Sequence, residues 1–491
     1  MLHSFVSLAT QDIWAALLIA FFFGGSIFVH ELGHFLAARM TGVHVERFSI
    51  GFGPAICSWK GKSGVEYRLS WLPLGGYVLL PQLADLRAVE GESSSDVSAL
   101  PPPSYPVKML VFVAGAFFNV LFAFGLATIV YLVGEPAARA QFDTLVGYVM
   151  DKITLPNGQA VASPAAAAGV QPGDIIRSID GTSVHDWNDV TALIKLSGSR
   201  TPAGKPVVHF VVDRNGRRIP LTLYPLILGE VNPTLSGSGV TEWVASKPLP
   251  GGADNSRQIG ISGGDTLLVA SVEPGSAAAK AGFQADDQIQ AVDGTRVYSV
   301  FTIFDAFGRD IGKAVRVDVL RGGHLLHLSV TSVAPPPAAV KSGRSTAALA
   351  SGFTFKFPTV IVHRSPFRQV WEELVTTVRT VVSLINPHSD IGLSKLSGVI
   401  GIVQFYQQIA PEGLIPVLAL TILINVNLAI LNLLPVPILD GGQMLFATIA
   451  AIRGRSLPVN FIAAIQSIFL MLIVMVMVYV GWFDILRWRH G

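Results

Sequence analysis

The sequence predicts a polytopic α-helical membrane protein with four transmembrane helices and a long insert of mixed α/β character between helices 2 and 3. Three observations lead to it. Hydrophobic residues make up 51% of the chain and charged residues only 14%, a balance unusual for a soluble protein of 491 residues. Four apolar runs, about 12–36, 109–133, 413–434 and 460–484, are long enough to cross a bilayer, since about 20 residues at 1.5 Å each span its roughly 30 Å hydrocarbon layer. Between the second and third runs the chain reads as soluble sequence and repeats itself, Asp287 standing 113 residues after Asp174 in matching surroundings. The formal charge of +2 argues against a nucleic-acid partner. Cys57 is the single cysteine, which excludes an intrachain disulfide framework and a Cys-rich zinc site.

The first run could be mistaken for a signal peptide. No Lys or Arg precedes it and no small-residue cleavage pattern follows, so it is expected to be retained as the first span. The loop after it carries Arg39, Arg47, Lys60, Lys62, Arg68, Arg87 and Lys108, which places that loop in the cytoplasm and the termini and middle region outside. Arg453 and Arg455 agree with this orientation; Arg487 and Arg489 oppose it and are outweighed. Residues 1–135 thus form the first part of a membrane core, and 413–491 the second.

Within the insert, Ser163-Pro164 through Ala168-Gly169, Pro172-Gly173-Asp174-Ile175-Ile176 and Ile179-Asp180-Gly181 recur as Gly275-Ser276 through Ala281-Gly282, Asp286-Asp287-Gln288-Ile289 and Val292-Asp293-Gly294. Each copy reads as a short helix, a turn, a strand and an Asp-Gly hairpin turn, with another helix near 187–197 or 300–308. The pattern resembles a tandem of PDZ domains, at 136–228 and 257–335, joined by a Gly-, Pro- and Ser-rich linker at 229–256. PDZ domains bind an extended peptide by adding it to a sheet edge, so the tandem implies peptide ligands or a substrate filter; mutual packing is the plainer alternative. A second linker near 334–352 opens the stretch 336–412. That stretch holds an apolar face of Phe367, Val370, Trp371, Leu374, Val378, Val381 and Val382 on an amphipathic helix, suited to the outer membrane surface or to packing.

The chemistry-bearing residues lie in the spans. His30-Glu31-Leu32-Gly33-His34 is an HExxH motif; its i, i+4 spacing puts two imidazoles one turn apart on one helix face, where they can bind one Zn2+. Glu31 beside them can act as general base. Burying these groups in an apolar span costs several kcal/mol unless they are paired or metal-bound. A catalytic zinc usually takes three protein ligands. The carboxylate available at a membrane helix is Asp440, in Asn432-Leu-Leu-Pro435-Val-Pro437-Ile-Leu-Asp440-Gly441-Gly442, where the prolines interrupt helical hydrogen bonding and the glycines permit a turn. Asp440 could instead cap a helix beginning at Gly441, and taken alone that reading would win; the incomplete zinc site favours the ligand role.

Taken in this order, the HExxH in a first span, the Asn-x-x-Pro-x-Pro-x-Leu-Asp-Gly in a later one and the tandem between them resemble the site-2 protease family over nearly the whole chain. Leu396-Ser397-Gly398-Val399-Ile400-Gly401-Ile402 and Ala114-Gly115-Ala116 with Asn119 resemble two further family segments, each lacking its usual Pro. The resemblance implies an intramembrane zinc endopeptidase of the bacterial inner membrane. Its zinc would be held by His30, His34 and Asp440, Glu31 would be the base, and Asn427 and Asn432 would hold substrate backbone or stabilise an oxyanion. The plainer role for either Asn is an interhelical hydrogen bond. Residues 43–80 resemble the family's membrane-associated β-hairpin, which adds unwound substrate as a strand. The active site would face the cytoplasm and the PDZ tandem the periplasm. Substrates would be single-span membrane proteins such as pre-cut anti-sigma factors and signal-peptide remnants. Two rival functions are an inactive membrane scaffold presenting PDZ domains, which has no need of Glu31, and a zinc transporter, which would show paired pathway carboxylates or inverted repeats.

Overall fold

A computed structural model describes residues 2–83, 101–235, 241–249, 255–335, 347–387 and 389–490. Arg87 and parts of both expected linkers, 236–240, 250–254 and 336–346, lie outside the described residues. The chain divides into two compact units: Met1–Glu135, Val362–Val381 and Leu396–Gly491 form one, and Pro136–Ile361 with Val382–Lys395 the other.

The first unit opens with helix α1 (Leu2–Thr41), strands β1 (Arg47–Lys60) and β2 (Glu66–Leu79), and helix α2 (Tyr105–Val133). Pro106 stands in the first turn of α2, where a missing N–H costs nothing. Both strands are long and bend. Residues 47–50 pair on one side with 66–69 and on the other with 76–79, while Ser58, Trp59 and Lys60 pair with Arg68, Tyr67 and Glu66. The two strands form the hairpin expected over 43–80, bent so that they build four short rungs. Residues 76–79 form one edge, and among the described residues no other strand pairs with them.

In the second unit the sequence repeat is also a structural repeat. The first copy comprises β3 (Val146–Val149), β4 (Lys152–Thr154), β5 (Ala160–Ala162), α3 (Pro164–Ala167), β6 (Ile175–Ile179), α4 (Trp187–Leu196), β7 (Val208–Arg214) and β8 (Arg217–Leu223). Strands β9 (Val231–Leu235), β10 (Thr241–Ala245) and β11 (Ile261–Gly263) follow. In the second copy are β12 (Leu267–Val272), α5 (Ala277–Lys280), β13 (Gln288–Val292), α6 (Val300–Arg309), β14 (Ala314–Arg321), β15 (His324–Thr331) and β16 (Phe353–Lys356). Ser163 Oγ accepts from Ala166 N and Ser276 Oγ from Ala279 N, each capping its short helix. Asp180 and Asp293, both at φ 47°, make the left-handed turns ahead of Gly181 and Gly294. Each copy is held together by its own apolar core, around Ile176, Val208 and Phe210 in one and Phe307, Val317 and Val319 in the other.

The expected linker at 229–256 is partly sheet. β9 and β10 pair antiparallel, and β10 runs parallel to β4 in a four-stranded sheet ordered β9-β10-β4-β5. Trp243, 6% exposed, drives this: its ring and that of Tyr148 lie 5.7 Å apart, and the core it joins includes Met150 and Ile153. Counting Gly, Pro and Ser alone missed the β-formers between them.

After the insert come α7 (Pro366–Ile385), α8 (Val399–Ile409), α9 (Leu414–Asn432), α10 (Asp440–Arg453) and α11 (Val459–His490). The apolar stripe expected on α7 divides in two: Val370 and Leu374 pack into the helical core, whereas Phe367, Trp371, Val378 and Val382 are exposed. Seven residues cover more of the helix circumference than one neighbour can bury. Val399 is the first residue of α8, a position where Pro and Val carry the same backbone, so the family's proline is dispensable there. Asp484 on α11 accepts from Gly398 N and Gly401 N at 3.0 and 2.9 Å and supplies that helix end with its acceptor. Leu17–Thr41, Tyr105–Val133, Leu414–Asn432 and Val459–Arg489 are long and apolar enough to span a membrane. Leu18 and Phe22 of α1, Leu126 and Val130 of α2, and Val417 and Ile422 of α9 share one buried core.

Candidate metal centre

The centre forms where α1, α2 and the start of α10 meet. Helical periodicity carries His30 and His34 to one face of α1. Their Nε2 atoms lie 3.2 Å apart, and Asp440 Oδ2 lies 3.2 Å from His30 Nε2 and 3.4 Å from His34 Nε2. The carboxylate arrives because α9 stops at Asn432 and the chain turns sharply, with Val436 N donating to Leu434 O at 2.7 Å and Leu439 N to Val436 O at 2.9 Å. Helix α10 then begins at Asp440, with Leu439 in the N-cap position.

Protonation states show what the three atoms need. Val111 O lies 2.8 Å from His34 Nδ1 and, being a carbonyl, can only accept, so Nδ1 carries the hydrogen. The Nε2 lone pair of His34 then faces Asp440 Oδ2, a buried oxygen that receives no well-aligned hydrogen bond. Lone pairs converging in a largely desolvated place repel one another unless a cation sits among them. Zinc fits: ligand bonds of roughly 2.0–2.1 Å in a tetrahedron separate the donor atoms by about 3.3 Å, and two imidazole nitrogens with one carboxylate oxygen form a zinc-type donor set.

Two glycines admit the surrounding backbone. A methyl group on Gly115 of α2 would stand 2.7 Å from His30 Cε1 and 2.8 Å from His30 Nε2, so only glycine lets α2 close over the rings. On Gly76 of β2 it would stand 3.0 Å from Glu31 Cγ, which puts the free sheet edge beside that carboxyl group. Glu31 is not among the converging ligand atoms. It interacts electrostatically with His34, His30 and Asp440 and hydrogen-bonds the backbone at Val78.

The two asparagines differ. Asn432 Nδ2 lies 3.4 Å from His30 Nε2, at the rim of the centre. Asn427 Oδ1 instead accepts from Thr377 Oγ1 of α7 at 2.5 Å. Five residues apart on a helix is about 140° around its axis, so the two cannot share one target. A third, Asn425, donates to Ser26 Oγ at 2.8 Å and pins α9 to α1 one turn before His30. Sequence reasoning gave no role to Val111, Gly76 or Asn119. For Asn119 the signal was present, since Gly115 and Asn119 stand at i, i+4 on α2; for a backbone carbonyl no residue type could have pointed to it.

The sequence model described as Peptidase family M50 matches residues 18–476. The regulator of sigma E protease of Salmonella typhi is 32% identical over 460 residues, covering 90% of this chain and 91% of the relative. The regulator of sigma-E protease RseP of Escherichia coli strain K12 is 31% identical over 452 residues, covering 88% and 89%. A relative from Vibrio cholerae, 28% identical over 463 residues and covering 91% and 93%, bears the name of a zinc metalloprotease.

Proposed function

The chain belongs to peptidase family M50, a site-2 type zinc metalloprotease, and from that premise we propose that it hydrolyses peptide bonds within the transmembrane segments of other membrane proteins. One observation carries the reading: two imidazole nitrogens and a carboxylate oxygen converge within 3.4 Å inside the helical unit, with Glu31 next to them and outside the ligand set.

His30, His34 and Asp440 hold the zinc, which supplies Lewis acidity toward the scissile carbonyl and toward water. Glu31 takes a proton from the attacking water and returns it to the leaving amide nitrogen. Asn432, whose amide nitrogen stands at the rim, donates to the oxygen on which negative charge develops. Asn427, tied to Thr377, holds α9 against α7 and steadies the substrate backbone indirectly. A helical substrate hides its carbonyls in internal hydrogen bonds and must unwind first. Strand addition to the free edge at 76–79 holds it extended, and the closeness of Gly76 to Glu31 supports this.

Names of the relatives point to regulators of a sigma factor as targets. The substrate class proposed is accordingly single-span proteins of the bacterial inner membrane, pre-cut anti-sigma factors and signal-peptide remnants among them. The two repeats, read as PDZ domains at 136–228 and 257–335 on the periplasmic side, filter those substrates, and the catalytic centre opens to the cytoplasm. The test is cleavage of a tagged single-span substrate by purified protein in detergent. Cleavage should vanish with a zinc chelator and in Glu31→Gln, while that variant keeps its zinc. Proteolysis undiminished in Glu31→Gln would reject the base, and a protein that cuts nothing and holds no zinc would favour the scaffold.

A further inference from the structure

Both imidazoles present Nε2 to the common point, so each needs its hydrogen on Nδ1 and an acceptor there to hold the ring. His34 has Val111 O. For His30 the neighbouring group is the side-chain amide of Asn119, also on α2: its Nδ2 is placed 3.3 Å from His30 Nδ1, and its Oδ1 is buried without a hydrogen-bond partner. Asn119 is fully buried, so no water competes for that contact.

Amide nitrogen and oxygen occupy interchangeable positions, and the network decides between them. With Nδ2 toward the ring, His30 would have to accept at Nδ1 and carry its hydrogen on Nε2. That hydrogen would point at Asp440 Oδ2 and His34 Nε2, leaving no lone pair for a metal. A metal bound at Nε2 therefore calls for the hydrogen on Nδ1, and Asn119 must then turn its oxygen to receive it.

We propose that Asn119 is the positioning residue of His30: through Oδ1 it accepts the Nδ1 hydrogen, fixes the tautomer and sets the ring plane, the side-chain counterpart of Val111 O on His34. Helix α2 then orients both histidines of α1, one through its backbone and one through a side chain, with Gly115 giving it the close approach that both contacts need. The inference rests on the metal-binding reading of His30, His34 and Asp440.

The experiment measures zinc affinity of the full-length protein in detergent by competition with a chromophoric chelator, together with the visible spectrum of its Co2+ form. Asn119→Leu keeps volume and removes the acceptor; it should weaken zinc roughly 10–100-fold and shift the Co2+ bands. Asn119→Asp can only accept, and should bind zinc at least as tightly as wild type. This second variant also keeps the test sharp if the leucine protein folds poorly. Zinc binding within about threefold of wild type in Asn119→Leu, or a loss in Asn119→Asp equal to that in leucine, would overturn the proposal while leaving the metal site standing. A wild type that takes up no zinc would overturn both.

Discussion

Asp440 of the helical unit and the pair Asp174 and Asp287 of the repeats are all carboxylates turned inward, and their surroundings could hardly differ more. In the repeats, Arg214 Nε and Nη2 reach the two oxygens of Asp174 at 2.6 and 2.7 Å, Gln171 N adds a third donor, and Arg214 also donates to Gly169 O. Arg321, Gln284 N and Gly282 O reproduce the arrangement around Asp287. Asp440 meets two imidazoles, of which one certainly presents a lone pair, and its Oδ2 goes without a proper donor. A buried charge whose every lone pair is met holds a fold together; one facing other lone pairs is waiting for a cation.

Substitution should separate the two kinds. Asp440→Asn is expected to lose stoichiometric zinc and cleavage, at least a thousandfold in rate, with little change in helix content. Retention of zinc by this variant, measured by metal analysis, would break the contrast. Gly115→Ala comes next: its methyl group runs into His34 Nε2 and the His30 ring and forces both imidazoles aside, and zinc affinity should fall roughly 10–100-fold with the carboxylate intact. Unchanged affinity would mean that α2 can retreat by a few tenths of an ångström. Asp174→Asn should leave zinc untouched and destabilise the insert by roughly 3 kcal/mol, toward the low end for a broken buried pair because Arg214 stays partly solvated. Thermal unfolding of the full chain followed by limited proteolysis would read this, and a matching loss in Asp287→Asn would show the repeats equivalent.

The smallest effect concerns the pairing of the two copies. Tyr148 donates to Asp305 of α6 at 2.5 Å beside Trp243 and Phe301. Burial and the Asp305 carboxylate push its phenol well above the ordinary value. Because the folded phenol resists ionisation, the stability it contributes is complete below pH of about 10 and fades as pH rises toward the raised folded value. Alkaline titration at 295 nm should show one late-titrating tyrosine fewer in Tyr148→Phe than in the wild type; a variant with an identical titration would remove the pairing from the account.

How far the sequence could be read depended on the kind of signal. Apolar length located four helices, and the HExxH spacing together with the Asn-x-x-Pro-x-Pro-x-Leu-Asp-Gly segment led to the three residues that converge. Composition failed at 229–256, where punctuating glycines hid a hairpin organised by one tryptophan; at 43–80 the hairpin was legible and only its bent pairing, which depends on tertiary register, was not. The stripe on α7 was visible, but which half faced protein was not, because periodicity reports amphipathicity and not the identity of the neighbour. Val111 was out of reach for a simpler reason: every residue has a carbonyl.

The free edge at 76–79 has one more consequence under the strand-addition reading. An edge strand grips amide and carbonyl groups common to every peptide, so the cleft itself has almost no vocabulary for sequence. Discrimination must then lie in how readily a bound helix lets go of its own hydrogen bonds. Segments softened by glycine or by an internal proline would be spent quickly, and stiff leucine-rich ones would pass by intact. The enzyme would sort its clients by mechanical compliance.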